Sequence, residues 1–412
     1  MGFPFDPVGA GLVYNVKSYG AFGDGVQDDT AAIENANSAL VANGGELWYP
    51  TGTYNLTGQS PATSGKRVKI VGAGQSAKLV NTGASSGTST CTFYIDNSNI
   101  VGGDWLEIAD LFLEGNSTGG MGIYLVGVNQ GRLTNIRADG FTAGAGWGAA
   151  INLFQYVFSC LITNPVITGC SYAGIIIQDV SNANQIIGGW IYENLNGSFG
   201  IRILSGDGNT IIGTIIQGSG AGGQGGVELN GEGNTLLSCW IENNDIGVYA
   251  NEPDSVIQDC IFTVNTTAAI AVESGSSNLL IKNCHFLNAQ TITLASGSTG
   301  TVFDGCTGMS NLTITDSSGG KFAIRNCPGY NPVGSAVPGT AFALPASGTA
   351  WTNNTGVDGT LFVTAAGTVT DVVVQGVTVG SSLAVGQSYF VPVGGTFTLT
   401  YSASPTLVFV GN

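Results

Sequence analysis

Between residues 120 and 315 the chain runs in short apolar bursts of four or five residues, separated by Gly, Asn, Ser and Asp. One set of bursts begins at Gly122, Ala150, Gly174, Gly200, Gly226, Gly247, Ala269, Gln290 and Asn311, at intervals of 28, 24, 26, 26, 21, 22, 21 and 21 residues. A second set follows at Gln185–Ile191, Thr210–Ile216, Thr235–Ile241, Ser255–Phe262, Asn278–Phe286 and Thr301–Cys306. Each repeat therefore reads as two or three strands joined by turns, and such strands are too short and too apolar for a free sheet. Stacked as coils of a parallel β-helix, each strand pairs with its equivalent one coil away, at about 4.8 Å, and the inward side chains form one continuous core. Turns of fixed shape then require the same residue in each coil. Asn184, Asn209 and Asn234 recur at intervals of 25, with Asp254 and Asn278 following, and the pattern predicts left-handed corners at these positions.

The ends depart from the repeat. From Asp28 a helical period takes over, with Asp29 or Thr30 as N-cap, Ile33, Ala36 and Leu40 on one face, and Asn43–Gly44 as the stop. This helix would plug the open first coil. After Cys327 four prolines mark a loose linker, and residues 359–412 then alternate apolar and polar without Lys or Arg, as in a small antiparallel β-sandwich. The predicted organisation is a cap and first coil at 1–55, a parallel β-helix at 56–328, a linker at 329–350 and a sandwich at 351–412. The fold class is all-β.

The stretch from Asn15 to Leu56 resembles the N-terminal signature of the pectate-lyase-3 type of right-handed β-helix proteins, found in phage tail spikes and polysaccharide-cleaving enzymes. The matching positions include Tyr19, Gly20, Gly23, Asp24, Gly25, Asp28, Asp29, Thr30, Ile33, Gly44, Gly45, Pro50, Gly52 and Tyr54. The resemblance implies a right-handed coil and makes Asp24, Asp28 and Asp29 turn and cap residues. The C-terminal segment is similar to short modules of phage structural proteins, which implies an end cap, a trimerisation unit or a binding head.

Composition narrows the function. Only 38 of 412 residues are charged, 11 basic and 27 acidic, giving a net charge of -16. A surface so poor in Lys and Arg is unsuited to sequence-independent nucleic-acid binding and to anionic membranes. No run of about 20 apolar residues is present to span a bilayer, and the first sixteen residues do not read as a secretory signal. Between Ala138 and Ile281 twelve acids face a single base, Arg202, so a partner of these coils is expected to be neutral, cationic or metal-bridged. Cys239, Cys260, Cys284, Cys306 and Cys327, spaced 21, 24, 22 and 21 apart, read as an inward ladder of free thiols rather than a zinc site, which would need clustered ligands. His285, the one histidine, should point outward.

Registering the repeats places Tyr124, Arg202, Glu228 and Tyr249 in one outward column, and predicts an Arg202–Glu228 ion pair. Tyr124 and Tyr249 are candidate sugar platforms. Trp190 and Trp240 sit two repeats apart at equivalent outward positions, accompanied by Tyr192 and Trp147, and fit either a glycan platform or an oligomer interface. Asp207, Glu232 and Glu252 should align at the following turn. Glycoside hydrolysis needs two carboxylates at about 5 Å or about 6.5–9.5 Å, so Asp207 with Glu232, or Glu228 with Glu193 or Glu242, are candidate catalytic pairs. A lyase needs a base, for which Arg202 with Tyr249 is the local candidate. The structural alternative is solvated acidic turns, with calcium as an ion that would relieve their repulsion; no metal ligand set or other cofactor is expected. The functional expectation is a homotrimeric virion spike or fibre contacting other virion proteins and host-surface polysaccharide, made in the host cytoplasm and carried on tail or capsid. A polysaccharide depolymerase of the same fold and a purely structural capsid decoration protein are the alternatives.

Overall fold

The computed structural model describes residues 12–411 apart from 58–59, 62–67, 84–90, 98–105, 117–119, 143–147, 196–197, 220–224, 328–342, 354 and 356–357. Residues 1–11, Trp147 and most of the expected linker lie outside the described residues. Among the described residues the chain winds into a parallel β-helix whose three sheets hold 11, 13 and 11 strands. Sheet I carries the first set of bursts, including Met121–Val126, Ala149–Phe154, Ala173–Gln178, Phe199–Ile203, Gly225–Leu229, Ile246–Ala250 and Ala268–Val272. Each second burst is two strands rather than one. Gln185–Ile187, Thr210–Ile212 and Thr235–Leu237 belong to sheet II, and Trp190–Tyr192, Ile215–Gln217 and Trp240–Glu242 to sheet III.

The break between sheets II and III is a left-handed corner at Asn135, Asn164, Gly188, Gly213, Ser238, Asp259, Asn283 and Gly305. The corner before sheet II also differs from expectation. Its left-handed residues are Ala183, Gly208, Gly233, Asp254, Asn278 and Gly300. Asp254 and Asn278 are among them, but Asn184, Asn209 and Asn234 stand one position later, buried and pointing inward. There they form an amide ladder. Asn184 donates its backbone N–H and Nδ2 to Asn209 Oδ1 at 2.9 and 3.1 Å, and Asn209 donates likewise to Asn234 Oδ1 at 2.8 and 3.2 Å. The same register puts Ser255 on the next rung. A second ladder, not anticipated from sequence, links Cys170, Asn194, Ser219, Asn244 and Asn265 where sheet III leads back to sheet I. Buried amides at these bends satisfy backbone N–H groups that no strand can reach.

The core is a set of stacked columns. Ile123, Ile151, Ile175, Ile201, Val227, Val248 and Ile270 line the inside of sheet I in register, and all are buried. Phe262 and Phe286 stack at 5.3 Å inside sheet III. The cysteine ladder forms as expected: all eight thiols are free, and only Cys327, at the last coil, is half-buried. His285 faces outward on sheet III with Nδ1 2.6 Å from Thr307 Oγ1.

Helix α1, Thr30–Asn43, covers the first coil with Ile33, Ala36 and Leu40 buried. Asp29 precedes it without capping it. Its carboxylate instead accepts from Phe22 N at 2.6 Å and Gly23 N at 3.2 Å, while Asp28 Oδ1 accepts from Thr30 N at 2.9 Å. At the other end, Ala350–Thr352, Thr396–Ala403, Thr368–Val374 and Val377–Gly380 form one antiparallel sheet and Ser388–Val391, Gly359–Ala365 and Thr406–Gly411 a second. Leu361, Val372, Val391, Phe397, Leu399 and Leu407 are buried in this module. No helix among the described residues is long and apolar enough to cross a membrane.

Candidate functional site

On the outside of sheet I, each coil contributes one residue to a column running Ile176, Arg202, Glu228, Tyr249, Ala271. Strand spacing alone brings the charged pair together: Arg202 Nε lies 2.6 Å from Glu228 Oε2. The guanidinium also lies over the rings of Tyr172 and Phe199, 4.6 Å from each centroid. Glu228 Oε1 accepts from Asn251 Nδ2 at 3.3 Å, so both carboxylate oxygens have partners although Glu228 is only 9% exposed. Charges held this far from water persist only when paired and hydrogen-bonded.

Around this pair is a recess of about 590 Å³, lined by Phe199, Arg202, Glu228, Tyr249, Asn251, Glu252, Glu273 and the segment Ser274–Gly275. Phe199 meets Tyr249 edge to face at 5.8 Å. Ala271 follows Tyr249 in the column, and the phenol packs against the buried cluster of Ile246, Ala268 and Ala271. Burial first, then the charges of Glu273, Asp245 and Glu228, push the Tyr249 hydroxyl above its ordinary value of 10.0. The phenol therefore keeps its proton and acts as a donor, which opposes its use as a lyase base.

The remaining sequence candidates are dispersed. Tyr124 belongs to the same column three coils before Arg202, but is 6% exposed and lies between Tyr94 and Phe154, with ring centroids 5.6 and 5.5 Å away. Its ring is covered rather than open, because aromatic residues in adjacent coils pack against one another. Asp207 and Glu232 sit at the exposed corner between sheets I and II, where Glu232 N donates to Asp207 Oδ1 at 2.9 Å. Glu252 is not level with them: Gly233 N bonds Pro253 O at 3.2 Å, so Pro253 takes that place and Glu252 turns into the recess. Glu242 belongs to sheet III, where it accepts from Trp240 Nε1 at 2.9 Å. Glu228 and Glu242 thus project from different sheets, and the second does not line the recess. No group of three or more His, Cys, Asp or Glu that could hold a metal ion is gathered at one point among the described residues.

Trp190 and Trp240 are on sheet III with Ile215 between them, in one register. They are 42%, 41% and 36% exposed for Trp190, Ile215 and Trp240. Trp190 stacks on Tyr192 at 4.1 Å. What the sequence reading missed is the aromatic bed of Arg202. Phe199 precedes the strand glycine, an outward position only because two inward residues, Gly200 and Ile201, follow it in succession.

Residues 148–308 match the family model described as the right-handed β-helix region. A shorter stretch is similar to the mannuronan C5-epimerase AlgE2 of Azotobacter vinelandii, 44% identical over 73 residues, which make up 16% of this chain and 7% of that relative. The chain thus spans a small fraction of that protein's length. Among solved structures, ORF18 of Geobacillus virus E2 has a TM-score of 0.53 at 21% identity, covering 77% of this chain and 60% of that one. The N-terminal fragment of bacteriophage Phi29 gene product 12 also gives 0.53, at 16% identity, over 76% and 62%. These likenesses carry the fold: the chain is an all-β, right-handed parallel β-helix followed by a small antiparallel region.

Proposed function

We propose that this protein is a glycan-recognising rod of a virus particle, a homotrimeric spike or fibre of tail or capsid whose recess on sheet I meets host-surface polysaccharide. The observation that carries the reading is the recess, where the Tyr249 ring and hydroxyl, a fixed Arg202–Glu228 pair and the carboxylates of Glu252 and Glu273 line one open face. Such a wall suits a sugar ring, which presents an apolar C–H face and a polar hydroxyl rim. The virion setting draws support from the pectate-lyase-3 resemblance of the N-terminal stretch and from the two viral proteins of similar fold. The local likeness to a mannuronan epimerase supports a polysaccharide as the class of ligand; mannuronan itself is a polyuronate, whose charge the three carboxylates of this recess oppose.

A depolymerase is the second reading, favoured by Glu252 and Glu273 lining the recess beside Glu228. Asp207, Glu232 and Glu242 remain weaker catalytic proposals, being outside it. Incubation of the protein with host capsular polysaccharide or lipopolysaccharide tests both. Retention of glycan that Tyr249→Ala abolishes supports recognition, and release of reducing ends or unsaturated sugars adds catalysis. Failure to retain any host glycan overturns the proposal.

A further inference from the structure

The charge of the recess selects among glycans, and the selection rests on the glycan reading just given. Among the described residues Arg202 is the only cation lining it, against Glu228, Glu252 and Glu273, which leaves a formal excess of two negative charges. Arg202 is also already paired within the protein. Its Nε is held by Glu228 at 2.6 Å and its guanidinium plane lies on Tyr172 and Phe199. Glu252 and Glu273 are half-buried in adjacent coils, and neither takes part in an ion pair among the described residues. Asn251, level with Glu273 in register, is turned toward Glu228 instead.

From this geometry we infer that the recess takes a glycan bearing free amino groups, with Tyr249 against the sugar ring and the ammonium between Glu252 and Glu273. A polyuronate would bring like charge against three carboxylates, with the one guanidinium already paired to Glu228. An uncharged sugar would use the aromatic wall but leave the two rim carboxylates uncompensated. An ammonium needs only one or two carboxylates, whereas calcium takes six to eight oxygens in its shell. The upward displacement of the Tyr249 hydroxyl by Glu273 and Asp245, after burial, agrees with a recess of negative potential.

The test is calorimetric titration of the full chain with three probes of matched length: a chitosan hexamer, its fully N-acetylated counterpart and a hexagalacturonate. The pH is set above the carboxylate range and below the amine's own pKa. The chitosan hexamer should bind about tenfold more tightly than the acetylated one, the size of one charge-assisted hydrogen bond, and the uronate should not bind. Glu273→Gln and Glu252→Gln should each remove most of that ratio, Glu273→Asp should retain it, and added salt should weaken only the chitosan complex. An acetylated hexamer that binds as tightly as chitosan overturns the inference. If that binding disappears in Tyr249→Ala, glycan recognition at the recess survives and only the amine preference falls. A chitosan hexamer that does not bind also overturns the inference, while retention of host polysaccharide decides the wider reading separately.

Discussion

Arg202 and Glu228 are each other's counter-ion at a site where water reaches only 16% and 11% of their side chains. Arg202→Ala should therefore destabilise the protein by about 2–4 kcal/mol, because a largely desolvated carboxylate is left with Asn251 alone. Replacing both partners by Met should recover most of that loss. Urea denaturation at unchanged slope reads both results, and equal stability of the single and double variants would refute the argument. The buried thiols make a second residue-scale prediction. Burial pushes Cys160 and Cys170 up from 9.0 to about 12. A group with its folded pKa raised binds its proton more tightly in the fold. Its contribution is full below the unfolded value and drains away as the pH rises through the folded one. The urea midpoint should thus fall between pH 9 and 12, and aromatic disulfide reagents at pH 8 should leave these thiols unmodified until the chain unfolds.

Corners, rather than strands, are the elements that can be tested individually. Asn209→Ala removes the acceptor of two Asn184 donors and the Nδ2 donor to Ser181 O. With several buried groups orphaned together, the loss should be about 3 kcal/mol. Glycines of neighbouring positions should behave differently. A methyl at Gly208 meets nothing within 4 Å, and the residue has φ +62°, so Gly208→Ala should cost about 1–2 kcal/mol from backbone conformation alone. At Gly206 the methyl would be driven into the Ser181 carbonyl, so Gly206→Ala should be the more damaging. Chemical denaturation of the pair ranks them, and the reverse order would contradict the corner geometry. These corners were only half legible in the sequence. The 25-residue period of Asn184, Asn209 and Asn234 was plain, but a repeated Asn fits both a left-handed bend and a buried amide. Because the bend residue itself varies between Ala183, Gly208, Gly233 and Asp254, one-position assignments could not be made from residue type.

At the scale of the whole molecule, the exposed row Trp190–Ile215–Trp240 on sheet III is the face on which the proposed trimer is best judged. It is apolar and continuous over three coils in a chain of net charge -16, so copies meeting there avoid most mutual repulsion. Light scattering should give three times the 41.9 kDa chain mass, and Trp240→Glu should shift it toward one chain. A wild-type monomer would exclude the trimer. The recess, by contrast, needs no second copy, since every lining residue comes from consecutive coils of one chain. The sequence by itself determined the coil, the sheet I register, the Arg202–Glu228 contact and the inward thiols, because in a β-helix a neighbour in space is a neighbour one repeat away. Tertiary structure alone decided exposure and convergence. It covered Tyr124 with Tyr94 and Phe154, separated Glu242 from Glu228 onto another sheet, and turned Glu252 rather than Asp207 or Glu232 into the recess. Those outcomes depend on how each corner bends and how large the adjacent side chains are, and repeat spacing carries neither quantity.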